Sequence, residues 1–103
     1  MKQNVVVPAL LLLAGLTGMP AHADLALAKA RNCMSCHSVD RKVVGPAYKD
    51  VAAKYAGQDA TDQLAKKIRE GGKDVWGPVP MPANTQVSPA EAKKLAAWIL
   101  GLK

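Results

Sequence analysis

Two cysteines separated by two residues and followed directly by a histidine, Cys33, Cys36 and His37, constrain this chain more than any other feature of its sequence. The pattern is typical of covalent attachment of a c-type haem. Each thiol adds across one vinyl group on the same edge of the porphyrin, and one turn of backbone then brings the His37 imidazole under the iron as its proximal ligand. We therefore predict one haem c, bound through Cys33 and Cys36, and a fold built around it.

Three other interpretations of the two cysteines are weaker. A thioredoxin-like redox motif would open a helix within a β-α-β pattern, and no strand-rich pattern flanks this motif. A structural zinc site needs four ligands, whereas beyond residue 23 the chain offers only Cys33, Cys36 and His37 as cysteine or histidine. A disulfide across so short a loop would add little stability and would leave His37 unexplained.

The first residues resemble a signal peptide. Lys2 supplies a positive start, residues 5–16 form an apolar run of 12 residues, and Ala21, His22 and Ala23 form an A-x-A cleavage site. An uncleaved anchor is disfavoured, because the run is shorter than the roughly 20 residues of a membrane-spanning helix and Pro8 interrupts it. We expect residues 1–23 to be removed on export to the periplasm, and residues 24–103 to form one haem-bearing domain.

The size and charge of that domain narrow its function. A domain of 80 residues with four aromatic residues buries little apolar surface, so a rigid apolar cofactor would be structural as well as functional. The whole chain has 14 basic and 8 acidic residues, and Lys2 is the only charged residue of the leader. No run of five positive residues follows, which disfavours nucleic-acid binding. The lysines are either a solvated surface or a means of steering towards acidic protein partners.

The periodicity of apolar residues predicts short helices and no strands. We expect helices over residues 25–31, with Asp24 as a possible N-cap, over about 47–55, ended by Gly57, and over about 61–70, ended by Gly71. The apolar faces of the middle two would carry Tyr48, Val51, Ala52, Tyr55, Leu64, Ala65 and Ile68.

A last helix should begin after Ser88, because Ser88 and Glu91 form a capping box with Pro89 at the first helical position. Its apolar stripe would include Trp98, packing this helix on the first one. Residues 76–84 precede it and contain prolines at alternate positions, which predicts a stiff extended loop.

The second iron ligand follows by elimination. His37 is the only histidine beyond the leader, and Met34 lies between the two tethered cysteines, where it cannot reach the opposite face of the haem. Met81 is then the remaining thioether, and Pro80 and Pro82 hold the chain extended around it. The alternative is that Met81 only fills a gap in the core. His/Met ligation would raise the reduction potential.

Four stretches of the chain together resemble the small class I cytochromes c of proteobacteria, the cytochrome c-551/c-552 (cytochrome c8) group. They are the Cys33 to His37 motif, residues 44–52, residues 75–82 and the helix around Trp98, so the resemblance covers the whole mature chain. It implies an all-α fold of about four short helices around one covalently attached haem.

The resemblance also implies roles for further residues. The Pro46 carbonyl would accept a hydrogen bond from His37 Nδ1–H, and Asn84 would direct its amide at the Met81 sulfur. Trp76 and Lys67 would hold a haem propionate, although the family often has arginine at the position of Lys67 and a lysine gives a less defined clamp. The alternatives are that Trp76 belongs to the core, that Asn84 is a loop residue, and that Tyr48 and Tyr55 are core aromatics rather than haem contacts.

The implied function is that of a soluble, monomeric, periplasmic one-electron carrier without a catalytic cycle of its own. Its partners would be redox proteins: a membrane cytochrome complex as donor, and a reductase or oxidase, such as nitrite reductase or a cytochrome c peroxidase, as acceptor. Two alternatives are a haem enzyme or gas-binding sensor with a displaceable sixth ligand, and a redox subunit bound permanently to an enzyme complex. The family analogy places a docking surface at Met34, Ser35, Val43, Pro78, Val79, Pro80, Pro82 and Ala83.

Overall fold

The structure, a computed structural model, describes residues 21–103, with side chains from residue 24. It contains four helices, and the described part of the chain has no β-strand, which confirms the predicted all-α fold. They are α1 (Ala21–Ala30), α2 (Tyr48–Lys54), α3 (Thr61–Glu70) and α4 (Pro89–Leu100). Most of the predicted signal peptide, residues 1–20, lies outside the described residues. No helix within residues 21–103 has the length and apolarity to cross a membrane.

Helix α1 begins earlier than predicted. Its backbone starts at Ala21, so Asp24 lies inside the first turn and is not the N-cap. Alanine is the strongest helix former, and the alanine-rich stretch before Asp24 continues the helix upstream. The helix ends at Ala30, and Asn32, with a left-handed φ of 65°, turns the chain into a 3₁₀ turn at Cys33–Ser35.

Helices α2 and α3 bury the faces that the sequence predicts. The buried residues are Tyr48, Val51 and Ala52 on α2, Tyr55 directly after it, and Leu64, Ala65 and Ile68 on α3. Helix α2 ends at Lys54, one residue before the predicted end. Helix α3 has the predicted bounds, and Gly71 follows it with a φ of 77° that favours glycine.

Helix α4 is the element that contacts the other three helices. The predicted capping box is present: the Ser88 hydroxyl accepts from the Glu91 backbone N–H at 3.1 Å, and the Glu91 carboxylate accepts from the Ser88 N–H at 3.0 Å. Helix α4 contacts α1, as predicted, and Trp98 also lies edge-on to Tyr48 of α2, with ring centroids 5.7 Å apart. The position of a ring on a helix stripe depends on which neighbour lies opposite it, and the stripe itself does not specify that neighbour.

The proline-containing loop between α3 and α4 contains no helix, as predicted. Two backbone hydrogen bonds tie its middle to the end of α3: Gly72 N–H donates to Met81 O at 3.0 Å, and Met81 N–H donates to Gly72 O at 2.7 Å. The loop therefore folds back over the helices and carries Met81 to the core.

Candidate cofactor site

One cavity, of about 250 Å³, collects the predicted site residues. Its lining is mostly apolar and comes from α2, α3, α4 and the loops that join them. All eight residues predicted to bind the cofactor line it: Cys33, Cys36, His37, Pro46, Lys67, Trp76, Met81 and Asn84. The wall also contains Leu64, Ile68, Leu95 and Ile99. Their helical periodicity predicts that they are buried, but not that they face a cavity.

The two cysteines enter the cavity from the 3₁₀ turn. Backbone N–H groups of Cys36 and His37 donate to the Cys33 carbonyl at 3.2 and 3.1 Å, so the motif is wound into a single tight turn. Both thiols are free and half-buried. Burial raises the pKa of the Cys33 thiol above its ordinary value, and a hydrogen bond with Tyr48 opposes part of that rise.

The His37 ring is oriented by the loop that follows it. Its Nδ1 lies 2.9 Å from the Pro46 carbonyl oxygen. A carbonyl can only accept, so Nδ1 carries the proton and Nε2 keeps a free lone pair for a metal. The loop is closed by the Cys36 carbonyl, which accepts from Val44 N–H at 3.1 Å and from Gly45 N–H at 2.7 Å.

Met81 reaches the same cavity from the proline-containing loop and is partly buried against the core. The strand-like pairing with Gly72 fixes its backbone, and this pairing depends on Gly71. A Cβ on Gly71 would collide with the Met81 carbonyl oxygen and would lie 2.8 Å from the Ala83 nitrogen. The loop therefore lies so close to the end of α3 that only glycine fits beneath it.

Asn84 makes contacts that the sequence did not predict. Its amide nitrogen donates to the Ile68 carbonyl at 2.9 Å and lies 3.5 Å from the Pro82 carbonyl, while its Oδ1 accepts from Gln86 at 3.2 Å. No hydrogen bond joins Asn84 to the Met81 sulfur among the residues that the structure describes. The amide thus ties the loop to the end of α3, and the carbonyl oxygen of Ile68 is the stronger acceptor.

Trp76 and Lys67 both lie on the cavity wall. The Trp76 ring is 41% exposed, and the Lys54 ammonium lies over it at 5.4 Å from its centroid. The Lys67 side chain lies against Gly72, where a Cβ would collide with it. The contact of Lys54 was not predicted, because the two partners are far apart in sequence and no local pattern joins them.

The sequence left open whether Tyr48 and Tyr55 are core aromatics or haem contacts, and in the structure both are buried and both line the cavity. Tyr48 is 5% exposed, and its ring stacks on the His37 ring with centroids 4.8 Å apart and planes 23° apart. Burial, followed by the neighbouring Cys33, raises the pKa of the Tyr48 hydroxyl, which stays protonated at every ordinary pH. Its position two residues after Pro46 was the only sequence signal for this contact.

The donor set and the cavity fit a haem. An imidazole nitrogen and a thioether sulfur are a pair of axial ligands used by haem iron, and the two thiols lie in the same turn as the imidazole. The part of the chain from residue 24 onward contains no group of three or more His, Cys, Asp or Glu side chains arranged to hold a metal ion by themselves. The zinc interpretation of the cysteines is therefore unsupported, whereas an apolar cavity beside Cys33, Cys36 and His37 suits a porphyrin.

Comparison with known proteins gives a consistent result. The family described as Cytochrome c matches residues 25–103. The chain is 60% identical to cytochrome c-552 of Nitrosomonas europaea over 84 residues, covering 81% of this chain and 82% of that protein. It is 57% identical to cytochrome c-552 of Hydrogenobacter thermophilus, covering 86% and 90% of the two chains. The crystal structure of wild-type Nitrosomonas europaea cytochrome c552 superposes with a TM-score of 0.74, covering 77% of this chain and 99% of that one.

Proposed function

Since the chain belongs to the cytochrome c family and binds one haem c covalently through Cys33 and Cys36, we propose that it is a soluble periplasmic one-electron carrier with His37 and Met81 as the axial ligands of the iron. The observation that carries the ligand assignment is that His37 and Met81 line one cavity. His37 is also the only histidine beyond the proposed cleavage site. When bound, the haem supplies the reversible exchange of one electron between ferric and ferrous iron.

The chain's own residues set the conditions for that exchange. The Pro46 carbonyl accepts a hydrogen bond from His37 Nδ1–H, which makes Nε2 a stronger electron-pair donor to the iron. The thioether of Met81 favours ferrous iron and raises the reduction potential. The apolar wall formed by Leu64, Ile68 and their neighbours keeps water from the reacting centre. A protein of this kind accepts electrons readily and releases them to a stronger oxidant.

Three further residues are proposed as haem contacts. Trp76 and Lys67 would hold a propionate at the cavity wall, with Lys67 supplying the positive charge. Asn84 would tune the potential by placing its amide near Met81, in addition to the hydrogen bonds that this amide donates to the carbonyls of Ile68 at 2.9 Å and Pro82 at 3.5 Å. These assignments rest on the family resemblance together with the placement of all three side chains on the cavity wall.

The proposed site of action follows from the leader. A cleaved signal peptide ending at Ala23 would deliver residues 24–103 to the periplasm. Donor and acceptor are then redox proteins, a membrane cytochrome complex and a reductase or oxidase.

The proposed docking surface lies where the cysteine motif meets the proline-containing loop. Val43 and Val79 are 47% and 61% exposed there, and Lys42 and Lys73 lie on the wall of the adjoining cavity. A small apolar patch with lysines near it suits short encounters, because charge speeds association while limited burial allows rapid separation.

Optical spectroscopy of the purified holoprotein tests this function. The reduced form should show a sharp c-type α band, the oxidised form should show the weak sulfur-to-iron band, and the reduced form should not bind carbon monoxide rapidly. The iron should also exchange electrons with a second redox protein. Rapid carbon monoxide binding by the parent protein, or turnover of peroxide, would favour a haem enzyme or sensor instead.

A further inference from the structure

The His37 ring is held by more than its hydrogen bond to Pro46. Tyr48 stacks on it at a centroid distance of 4.8 Å and an interplanar angle of 23°. Tyr48 is the first residue of α2 and is 5% exposed, so its ring is itself fixed by the core. A hydrogen bond at Nδ1 fixes one atom of the imidazole, whereas a stacked ring restricts the tilt of the whole plane.

Gly45 meets the same ring from the backbone. A methyl group on its Cα would lie 2.5 Å from Cε1, 2.9 Å from Nδ1 and 3.0 Å from Nε2 of His37. Optimal separation between non-bonded carbons is about 3.5–4.0 Å, so even an alanine would displace the ring. Gly45 is absent from the glycines with positive φ, which are Gly57, Gly71 and Gly77. The ring, and not the backbone conformation, is therefore what requires glycine at this position.

Tyr48 is supported in turn by the last helix. The Trp98 ring meets it edge-on at 5.7 Å and 81°. The Tyr48 side chain thus joins the imidazole to α4.

We propose that Gly45 and Tyr48 are positioning residues that fix the plane of the His37 imidazole. This inference rests on the proposed ligation of the iron by His37. The orientations of the two axial ligands together set the energies of the iron d orbitals that share the unpaired electron of the ferric state. A rotated imidazole, with Met81 unchanged, would therefore alter the pattern of the ferric haem methyl resonances in a proton NMR spectrum, independently of electron-transfer activity.

The test compares holoprotein variants at two buried positions. Tyr48→Leu should change the order or spread of the haem methyl shifts. It should also speed solvent exchange of the His37 Nδ1 proton by about two- to tenfold, the range expected for loss of one aromatic pair. Tyr48→Phe keeps the ring and should keep the parent pattern. Val87→Ala is the control: Val87 is 1% exposed, belongs to the same core and does not line the cavity. It should lower thermal stability while leaving the methyl pattern unchanged.

A glycine pair tests the second contact. Gly45→Ala should alter the methyl pattern, whereas Gly101→Ala should not, because a Cβ at Gly101 meets no atom closer than 3.5 Å. The proposal is overturned if Tyr48→Leu retains the parent pattern, or if Val87→Ala alters it equally. If the parent's reduced spectrum lacks the strongly shifted ring resonances of an iron-bound imidazole, the proposed ligation fails first and this inference with it. That failure is visible before any variant is made.

Discussion

Met81 and Met34 differ in their placement although both are partly buried against the core. Met81 lines the cavity with His37, whereas Met34 is not among the residues of that wall. Met34 lies within the attachment turn at Cys33–Ser35. Among the residues that the structure describes, Met81 is therefore the one methionine that offers a thioether to the cavity from a separate segment of the chain.

Replacing Met81 with alanine should open the sixth coordination position. We expect the reduction potential to fall by on the order of 0.1 V or more, well within the range of about 0.8 V that axial ligands span. Carbon monoxide should then bind rapidly to the reduced protein. Met34→Ala is the control and should change neither property. Survival of the sulfur-to-iron band in Met81→Ala would show that another group is the ligand.

At the scale of helices, α1 and α4 are joined by a contact between residues 60 positions apart. The Arg31 guanidinium donates to the Glu91 carboxylate at 2.7 and 3.1 Å, and the same carboxylate completes the capping box of α4. The hydrogen bond from Arg31, followed by that from the Ser88 N–H, lowers the pKa of Glu91 from 4.5 to about 2. One side chain therefore both starts α4 and ties it to the end of α1.

The pH dependence of stability follows from that lowered pKa. A carboxyl group whose pKa is lower in the folded state contributes stability that is complete above its unfolded pKa and is lost as the pH falls to the folded pKa. This contribution should disappear between about pH 4.5 and pH 2. Glu91→Gln should therefore lower the melting temperature at pH 7 and flatten its fall over that range.

The neighbouring exposed pair provides the control for this prediction. Lys66 and Glu70 are 3.9 Å apart, with side chains 75% and 63% exposed. Exposed pairs of this kind contribute little, so Glu70→Gln should leave the melting curve nearly unchanged at every pH. Equal effects of Glu91→Gln and Glu70→Gln would mean that the Arg31 contact is not a significant tie.

The sequence predicted the ends of helices well where the whole signal lay within a few residues. The capping box specified the start of α4, and Gly71 specified the end of α3. The start of α1 was missed because a capping residue at Asp24 competes with alanines that continue the helix. The contact between Trp98 and Tyr48 was not predicted, because it depends on how whole helices pack and no short stretch of sequence contains that information.

The candidate site also has parts that the sequence predicts and parts that it does not. Five consecutive residues specify the attachment turn, and the eight predicted residues line one cavity. The hydrogen bond from the Asn84 amide to the Ile68 carbonyl was not predicted, because it depends on the conformation of the loop. The stacking of Tyr48 on His37 was not predicted for a related reason. It requires the loop after His37 to fold back so that residues 44 and 45 contact Cys36.

For the molecule as a whole, the cofactor should be a large part of the core. Among side chains that are almost completely buried, the largest are Leu95 and Val87. Such a core of small and medium-sized side chains buries little apolar surface for a domain of this length. A variant with Cys33→Ala and Cys36→Ala, exported without covalent haem, should show weak helical circular dichroism and a broad melt. A cooperative, fully helical melt of that variant would show that the polypeptide is stable alone.

Partner docking is a second property of the whole molecule. Introducing a charge at Val79, which is 61% exposed, should slow second-order electron transfer to a partner reductase by about tenfold, equivalent to about 1.4 kcal/mol, with little change in reduction potential. Ala97→Glu, an equal charge change on the exposed outer side of α4, should have a much smaller effect. Neutralising Lys42 or Lys73 should chiefly weaken the dependence of the rate on salt. Equal rates for Val79→Glu and the parent would place docking elsewhere.

The packing of α4 against α1 has a consequence for how the polypeptide can be divided. The turn at residues 56–59 is exposed throughout, so a cut there would leave one piece with both cysteines and His37 and another with Met81 and α4. The contacts that join the pieces, α1 with α4 and α2 with α4, all cross the cut. Two separately made halves should therefore reassemble into a split protein, with each half supplying one side of the same cavity.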